Sequence, residues 1–244
     1  MRKRTLVLGL AFITGSVVWG SIAWFKIPVT EVDWRSPRKA SEEIWRSVQQ
    51  SYAPSKPQKL AACHKRLLAR GVKFKMVSST AVSPNQLARG CHKEGAVLVR
   101  EIGGVSFGNQ VSLSCPAALA MADWINKDLQ PLAQIKYEQP VKRIHHIGTY
   151  QCRKIAGSRR MSQHSFANAI DISGFSLKNG KRISVLNHWK KPAKDSDFLK
   201  SVGRSACGRF NLVLSPDYNA AHRDHFHFDM GFYRRCRIDD DPIS

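Results

Sequence analysis

The chain has 244 residues, with 39 Lys and Arg against 18 Asp and Glu and a formal net charge of +21. Its 43% hydrophobic and 23% charged residues fit a folded protein and exclude a disordered one, while the positive balance selects anionic partners: nucleic acid, acidic lipid headgroups, or the carboxylate-bearing stem peptides of peptidoglycan. No nucleic-acid-binding motif accompanies the basic residues and aromatics are sparse among them, so no nucleic acid is expected and a cell-wall polymer is the better partner.

At the N-terminus, Arg2-Lys3-Arg4 precedes an uncharged run from Thr5 to Phe25, followed by Lys26 and Pro28. The run exceeds the ~7–15 residues of a secretory apolar core and approaches the ~20 needed to span a bilayer. Residues 1–28 are therefore expected to be an uncleaved anchor, with Ser21-Ile-Ala23 leaving open a cleaved signal peptide and secretion. Basic residues ahead of the apolar run keep the N-terminus cytoplasmic, which predicts a periplasmic domain held to the inner membrane by a single N-terminal helix. Residues 29–57 show no sustained periodicity and read as a linker, leaving 58–244 as one domain with one core. Six Cys behind a membrane-targeting segment imply an oxidising compartment and disulfides, and none lies in a C-x-x-C pair. Sequence does not fix their connectivity; Cys207 with Cys236 is expected, because that bridge brackets the strand containing His225 and His227.

Within the domain, Leu60 to Arg70 reads as a helix ended by Gly71, followed by an alternating strand from Val72 to Met76. Val97 to Ile102 and Val105 to Leu113 read as strands broken by Gly103-Gly104. Cys115-Pro116 opens a helix whose Ala118, Met121, Trp124, Ile125 and Leu129 recur at helical spacing. Ile144 to Arg153 then reads as a strand, His164 to Phe175 as loop and strand, Arg182 to Val185 as a strand after the Asn179-Gly180 turn, and 196–206 as a helix. Strands and helices interleave without regular βαβ units, so the expected class is α+β: a mainly antiparallel sheet with flanking helices, stabilised by disulfides.

Two stretches concentrate metal-type ligands, Ser162-Gln-His164-Ser-Phe-Ala-Asn-Ala-Ile-Asp171 and His222-Arg-Asp-His225-Phe-His227-Phe-Asp229. Period-2 alternation puts His225, His227 and Asp229 on one strand face with Phe226 and Phe228 on the other; it likewise joins Ala169, Asp171 and Ser173 against Ile170 and Ile172. If the two strands are neighbours, Asp171 lies beside His227 and His164 enters above both. Two His and one carboxylate with an open fourth position form the ligand set of a hydrolytic Zn²⁺ centre, whereas a structural zinc wants a fourth protein ligand, usually Cys.

Ser162, His164, Ala169 and Asp171 resemble the S-x-H-x-x-G-x-A-x-D motif of the lysostaphin, D-alanyl-D-alanine peptidase and hedgehog superfamily, and His225-Phe-His227 resembles its downstream H-x-H. More narrowly, Tyr150-Gln-Cys-Arg153, the first motif, Ile172-Ser-Gly-Phe175 and His222 to His227 resemble the extensin-like C-terminal domain, over roughly residues 58–237. One position departs: Ala167 stands where the superfamily has Gly, and Ala tolerates a positive φ poorly. The resemblance implies that fold, with His164, Asp171 and His227 as metal ligands. It also implies a zinc-dependent peptidase acting on peptidoglycan stem peptides.

No Glu occurs beyond Glu138, so a glutamate base is not at hand near these motifs. His225 is the expected general base on a zinc-bound water, an imidazole being suited to take that proton and return it to the leaving amine. His222 is expected to hydrogen-bond the same water or the developing oxyanion, and Arg153 to polarise a carbonyl or bind a carboxylate. Asp224 and Asp229 are expected to orient His nitrogens, and Ser162 to order the loop. His145 and His146 are adjacent, so alternation sends them to opposite faces and only one to the cleft. His64, His92 and His188 default to structural roles. Two other readings stay open: a non-catalytic cell-wall or metal-binding module, kept alive by Ala167, and a His-metal nuclease with loosely held Mg²⁺.

Overall fold

The structure, a computed structural model, describes residues 56–77, 82–93, 95–191 and 193–238. The expected anchor over 1–28 and all but the end of the expected linker lie outside them. Among the described residues, no helix is long and apolar enough to cross a membrane.

Helix α1 (Lys56–Leu68) starts earlier than the sequence reading and closes through a turn at Gly71 into β1 (Val72–Met76). A short helix α2 (Pro84–Ala88), which the sequence reading omits, is nucleated by a capping box: Ser83 Oγ accepts from Gln86 N while the Gln86 side chain accepts from Ser83 N. Strands β2 (Val97–Ile102) and β3 (Val105–Leu113) fall where alternation puts them. Gly103 and Gly104 join them with φ of 53° and 82°, the two positive-φ positions that a tight hairpin reversal demands.

Helix α3 (Cys115–Trp124) is capped by Ser114, whose hydroxyl accepts from Ala117 N, and the helical run that it opens extends past the expected stripe to Tyr137. A π turn (Ile125–Leu129), in which Gln130 N–H bonds the Ile125 carbonyl, leads into α4 (Gln130–Tyr137). The cause is Pro131: it has no N–H to continue the α ladder, and the widened turn just before it absorbs the missing bond. Strand β4 (Val141–Gly148) leads to a 3₁₀ turn (Gln163–Phe166) and then β5 (Ala169–Leu177). Next come β6 (Arg182–Ser184), α5 (Val185–His188), α6 (Lys194–Ala206) and β7 (Leu212–Leu214). A second 3₁₀ turn (Ala220–His222), β8 (Phe226–Asp229) and β9 (Arg235–Arg237) complete the described chain.

These strands form one nine-stranded sheet in the order β1-β2-β3-β4-β5-β8-β7-β9, with β6 also paired to β5. The class is α+β as expected and the sheet is largely antiparallel, but it is mixed, since β3 pairs with β4 and β7 with β9 in parallel. Strand β5 is the keel. Strand β4 runs along one of its edges; β8 takes the first half of the other edge and β6 the second. The helices cover one face. Trp124 of α3 stands edge-on to Phe228 at 5.3 Å between centroids, and Phe198 of α6 edge-on to Phe175 at 5.8 Å. Ile170, Ile172, Phe226 and Phe228 are all at most 1% exposed. By alternation, Asp171 and His227 must point from the opposite face.

Three disulfides brace the fold: Cys63–Cys115 joins α1 to α3, Cys91–Cys152 joins two loops, and the expected Cys207–Cys236 ties the end of α6 to β9.

Candidate metal centre

Strand pairing carries the first step of the site. In the β5–β8 ladder Asp171 lies opposite His227, so their side chains share one position on the open face. His227 Nδ1 is 2.9 Å from Asp171 Oδ1. His164, in the 3₁₀ turn just before β5, completes the cluster: its Nε2 is 3.2 Å from Asp171 Oδ2 and 3.3 Å from His227 Nδ1. The other nitrogen of each imidazole is already committed. His164 Nδ1 donates to the Thr149 carbonyl, and His227 Nε2 lies 2.9 Å from Asp229 Oδ2, whose other oxygen accepts from Gly231 N at 2.7 Å.

Those outer contacts decide what the cluster can hold. With the outer nitrogens as donors, His164 Nε2 and His227 Nδ1 turn lone pairs inward beside a carboxylate. A tetrahedral zinc with bonds of about 2.0–2.1 Å needs ligand atoms roughly 3.3 Å apart, close to the separations here. The donor set and its spacing fit zinc. Among the described residues, His164, Asp171 and His227 are the group of three able to hold a metal ion, and two of them are buried. Gly148 clears the approach, since a Cβ there would stand 3.2 Å from Asp171 Oδ2.

The electrostatics of the metal-free cluster follow from the same contacts. Burial raises the Asp171 carboxyl, but hydrogen bonds and charge from His164 and His227 outweigh it and hold the group well below the usual carboxylate range. Burial lowers His227, but Asp171 and Asp229 outweigh it and raise the imidazole to about 9. In the metal-free site His227 is therefore an imidazolium, donating from Nδ1 to Asp171 and from Nε2 to Asp229.

Around the cluster the sequence-predicted residues fall at different distances. His225 is buried just ahead of β8, with Nε2 3.7 Å from Asp171 Oδ1 and Nδ1 2.8 Å from Asp224 Oδ1. That contact lowers the Asp224 pKa, chiefly through the His225 hydrogen bond. His222 lies against the rings of His225, tilted at 5.2 Å, and His227, edge-on at 6.1 Å between centroids. Its Nδ1 is 2.7 Å from Asn219 Oδ1, an oxygen that also accepts from Ala221 N, so the His222 proton is on Nδ1 and Nε2 is an acceptor. Burial, helped by His225 and His227, lowers His222 to about 4. Arg153 lies at the exposed rim, its Nε donating to Gln151 Oε1, and its charge reaches His222.

The segment from Thr149 to Arg153 corrects the sequence reading. Strand β4 ends at Gly148 and not at Arg153: the chain bends at Thr149, leaves the sheet and pairs with the His164 loop. Gln151 N donates to His164 O and Ser162 N to Arg153 O. The residue that stitches the two together is Ser165, buried completely; its Oγ accepts from Arg153 N at 3.0 Å and lies 2.7 Å from Arg153 O. Nothing in the motif singled out Ser165, or Asn219 outside it; the only signal was the small polar residue at a turn. Ser162, by contrast, orders the loop as expected, its Oγ accepting from His164 N.

Ala167 keeps the backbone of a glycine, with φ of 52° in the left-handed region, and is fully buried. His145 and His146 do not divide between two faces as simple alternation would have it: both line one groove. The β4–β5 ladder slips here, with His145 opposite Gly174 and His146 opposite Ile172, so Ser173 is the extra residue on β5.

A mixed nine-stranded sheet with a buried His–Asp–His cluster on its open face defines the class of site. The chain matches the family described as extensin-like protein C-terminus over residues 61–237, and it belongs to that family. No curated protein and no solved structure matches it.

Proposed function

We propose that the domain is a zinc-dependent peptidase that cuts the peptide crosslinks of peptidoglycan in the cell envelope, on the fold plan of the lysostaphin, D-alanyl-D-alanine peptidase and hedgehog superfamily. The observation that carries this reading is the convergence of His164 Nε2, Asp171 and His227 Nδ1 at 2.9–3.3 Å, with two further imidazoles beside them. When bound there, zinc supplies Lewis acidity towards a substrate carbonyl and makes water acidic near neutral pH. His164, Asp171 and His227 are the residues that would hold it.

The remaining chemistry belongs to this chain's own groups. Asp224 accepts the Nδ1 proton of His225, which leaves the Nε2 lone pair facing the cluster. From there it takes a proton from the attacking water and delivers it to the leaving amine. Asp171, Asp229 and Asp224 are each engaged by an imidazole, so no free carboxylate in the cluster competes for that role. His222, neutral and proton-bearing on Nδ1, accepts a hydrogen bond at Nε2, which suits it to orient a water and not to donate to an oxyanion. Arg153 at the rim suits a substrate carbonyl or carboxylate. A periplasmic placement, by an inner-membrane anchor or after secretion, agrees with the three disulfides.

The test is metal analysis of the purified full chain together with mass spectrometry of sacculi incubated with it. Near-stoichiometric zinc and loss of crosslinked muropeptides are expected. His164→Ala and His227→Ala should lose most of the zinc, whereas His225→Ala should keep it and lose at least about a hundredfold in turnover. Stoichiometric zinc in both His164→Ala and His227→Ala would sink the ligand assignment, and zinc without turnover would leave a binding module.

A further inference from the structure

Beside the cluster a groove of about 450 Å³ opens on the same sheet face, walled by Asn109 of β3, Arg143, His145 and His146 of β4, Ser173 of β5 and Arg182 of β6. Its size falls in the range of small-ligand sites. Ser173 follows Asp171 by two residues on the same face, so the groove begins roughly 7 Å along the strand from the cluster. The β4–β5 ladder slips at this point, with Ser173 the extra residue on β5, and His145 and His146 both line the groove.

Its charge is unbalanced. Arg143 and Arg182 enter from opposite sides of β5, by way of β4 and β6, and among the described residues neither guanidinium has a carboxylate partner. Their fields meet at His145: burial first, then Arg182 and Arg143, push its pKa down, so it stands in the groove as a neutral imidazole with Nε2 2.7 Å from Ser176 Oγ. The carboxylate that acts on His146 is Asp171, which is itself engaged by His164 and His227. His146 Nδ1 is buried without a hydrogen-bond partner, while a further bond joins this ring to the Asn109 backbone. Two planar guanidinium forks without counter-ions, with hydroxyl and neutral imidazole donors between them, form a receptor for a planar anion.

We propose that this groove is a substrate subsite in which Arg143 and Arg182 hold a carboxylate of the peptide whose backbone lies across the His164–Asp171–His227 cluster. The identity of that peptide as a peptidoglycan stem rests on the peptidase reading above; the carboxylate preference does not. The subsite selects substrates carrying a free carboxylate a residue or two from the bond at the cluster, and it rejects amidated ones.

Equilibrium binding to the zinc-loaded full chain tests this, in a His225→Ala background so that ligand is not consumed. The probes are a labelled disaccharide-peptide with free carboxylates and the same molecule with its carboxylates amidated. The free acid should bind at least about tenfold tighter than the amide. Arg143→Gln combined with Arg182→Gln should bring that ratio close to one, with zinc content and affinity for the amide unchanged. A ratio near one in the parent, a ratio the double variant leaves intact, or tighter arginine-dependent binding of a single-stranded oligonucleotide overturns the proposal. The two readings fail separately. Carboxylate selection without crosslink cleavage in the wild type removes the peptidase and keeps the subsite; cleavage without selection does the reverse.

Discussion

At the scale of single residues, the site depends on which nitrogen of each imidazole carries the proton. Asp229 fixes this for His227 by taking Nε2 at 2.9 Å while Gly231 N steadies its other oxygen. Asp229→Asn should therefore keep the fold but lower zinc affinity by roughly 10–100-fold, read by competition with a graded series of chelators. Affinity within about twofold of wild type would show that Asp229 does not set the tautomer. Ala167 poses an opposite question, because its φ of 52° is a residue-level conflict that the chain carries in full burial. Relief of left-handed strain, about 1–2 kcal/mol, is offset in Ala167→Gly by the lost methyl burial, about 0.8 kcal/mol, and by added unfolded-state entropy of about 0.4–1 kcal/mol. Denaturant unfolding should find that variant within about 1 kcal/mol of wild type, whereas Ala167→Val should cost more than about 2 kcal/mol. His164, Asp171 and His227 were legible in sequence because residue type, spacing and strand alternation all pointed one way. Ser165 and Asn219 were not, since a serine or asparagine at a turn looks the same whether it orders a site or a surface loop. His145 and His146 were misread because the β4–β5 ladder slips beside them, at Ser173 on β5, and a backbone slip leaves no mark in side-chain chemistry.

At the scale of elements, the segment Thr149–Arg153 matters more than its lack of regular structure suggests. It supplies the carbonyl that holds His164 Nδ1, it pairs with the His164 loop through Ser165, and the Cys91–Cys152 disulfide pins it. Replacing Cys91 and Cys152 together by Ser should lower stability by about 2–4 kcal/mol and weaken zinc binding, although neither residue touches the cluster. Unchanged zinc affinity in a destabilised variant would show that the loop keeps its shape unaided. The strands β1, β2, β3 and β5 could be read directly because each is a short run rich in apolar and β-branched residues, and the ladder slips within them leave that run recognisable. The end of β4 could not: the chain bends at Thr149 and trades a sheet neighbour for a loop, and residue pattern does not record which partner a segment pairs with. The π turn escaped for a related cause, since Ile125 and Leu129 fit the helical stripe whether or not the turn is widened to accommodate Pro131. Of the disulfides, Cys207–Cys236 had a spatial rationale in the strand it brackets, while the other two join segments whose proximity only the folded sheet creates.

At the scale of the whole molecule, proton and metal compete for one folding equilibrium. In the metal-free protein His227 is raised from 6.5 to about 9, so the folded chain holds that proton more tightly than the unfolded chain does. The stabilisation this brings is complete below about pH 6.5 and is lost as pH climbs through about 9. At 1.36 kcal/mol per unit it is worth on the order of 3 kcal/mol. Asp171 works from the other side: its pKa is depressed, so its contribution is present above the ordinary value of 3.8 and is lost only as pH falls through the depressed one. Zinc needs the His227 Nδ1 lone pair and must expel the proton, so its stabilising increment should grow by up to about tenfold in apparent affinity per pH unit between roughly 6.5 and 9, then level off. The net charge of +21 adds self-repulsion, but Lys and Arg stay protonated throughout that window, so this term is nearly constant. Thermal melts of the full chain at steps from about pH 5.5 to 9.5, with chelator and with excess zinc, separate the two. The chelated wild type should lose stability across the window relative to His227→Gln, while the zinc increment of the wild type rises across it. An increment that does not change with pH would mean that zinc displaces no proton from His227, and the ligand geometry inferred from Asp171 and Asp229 would fall with it.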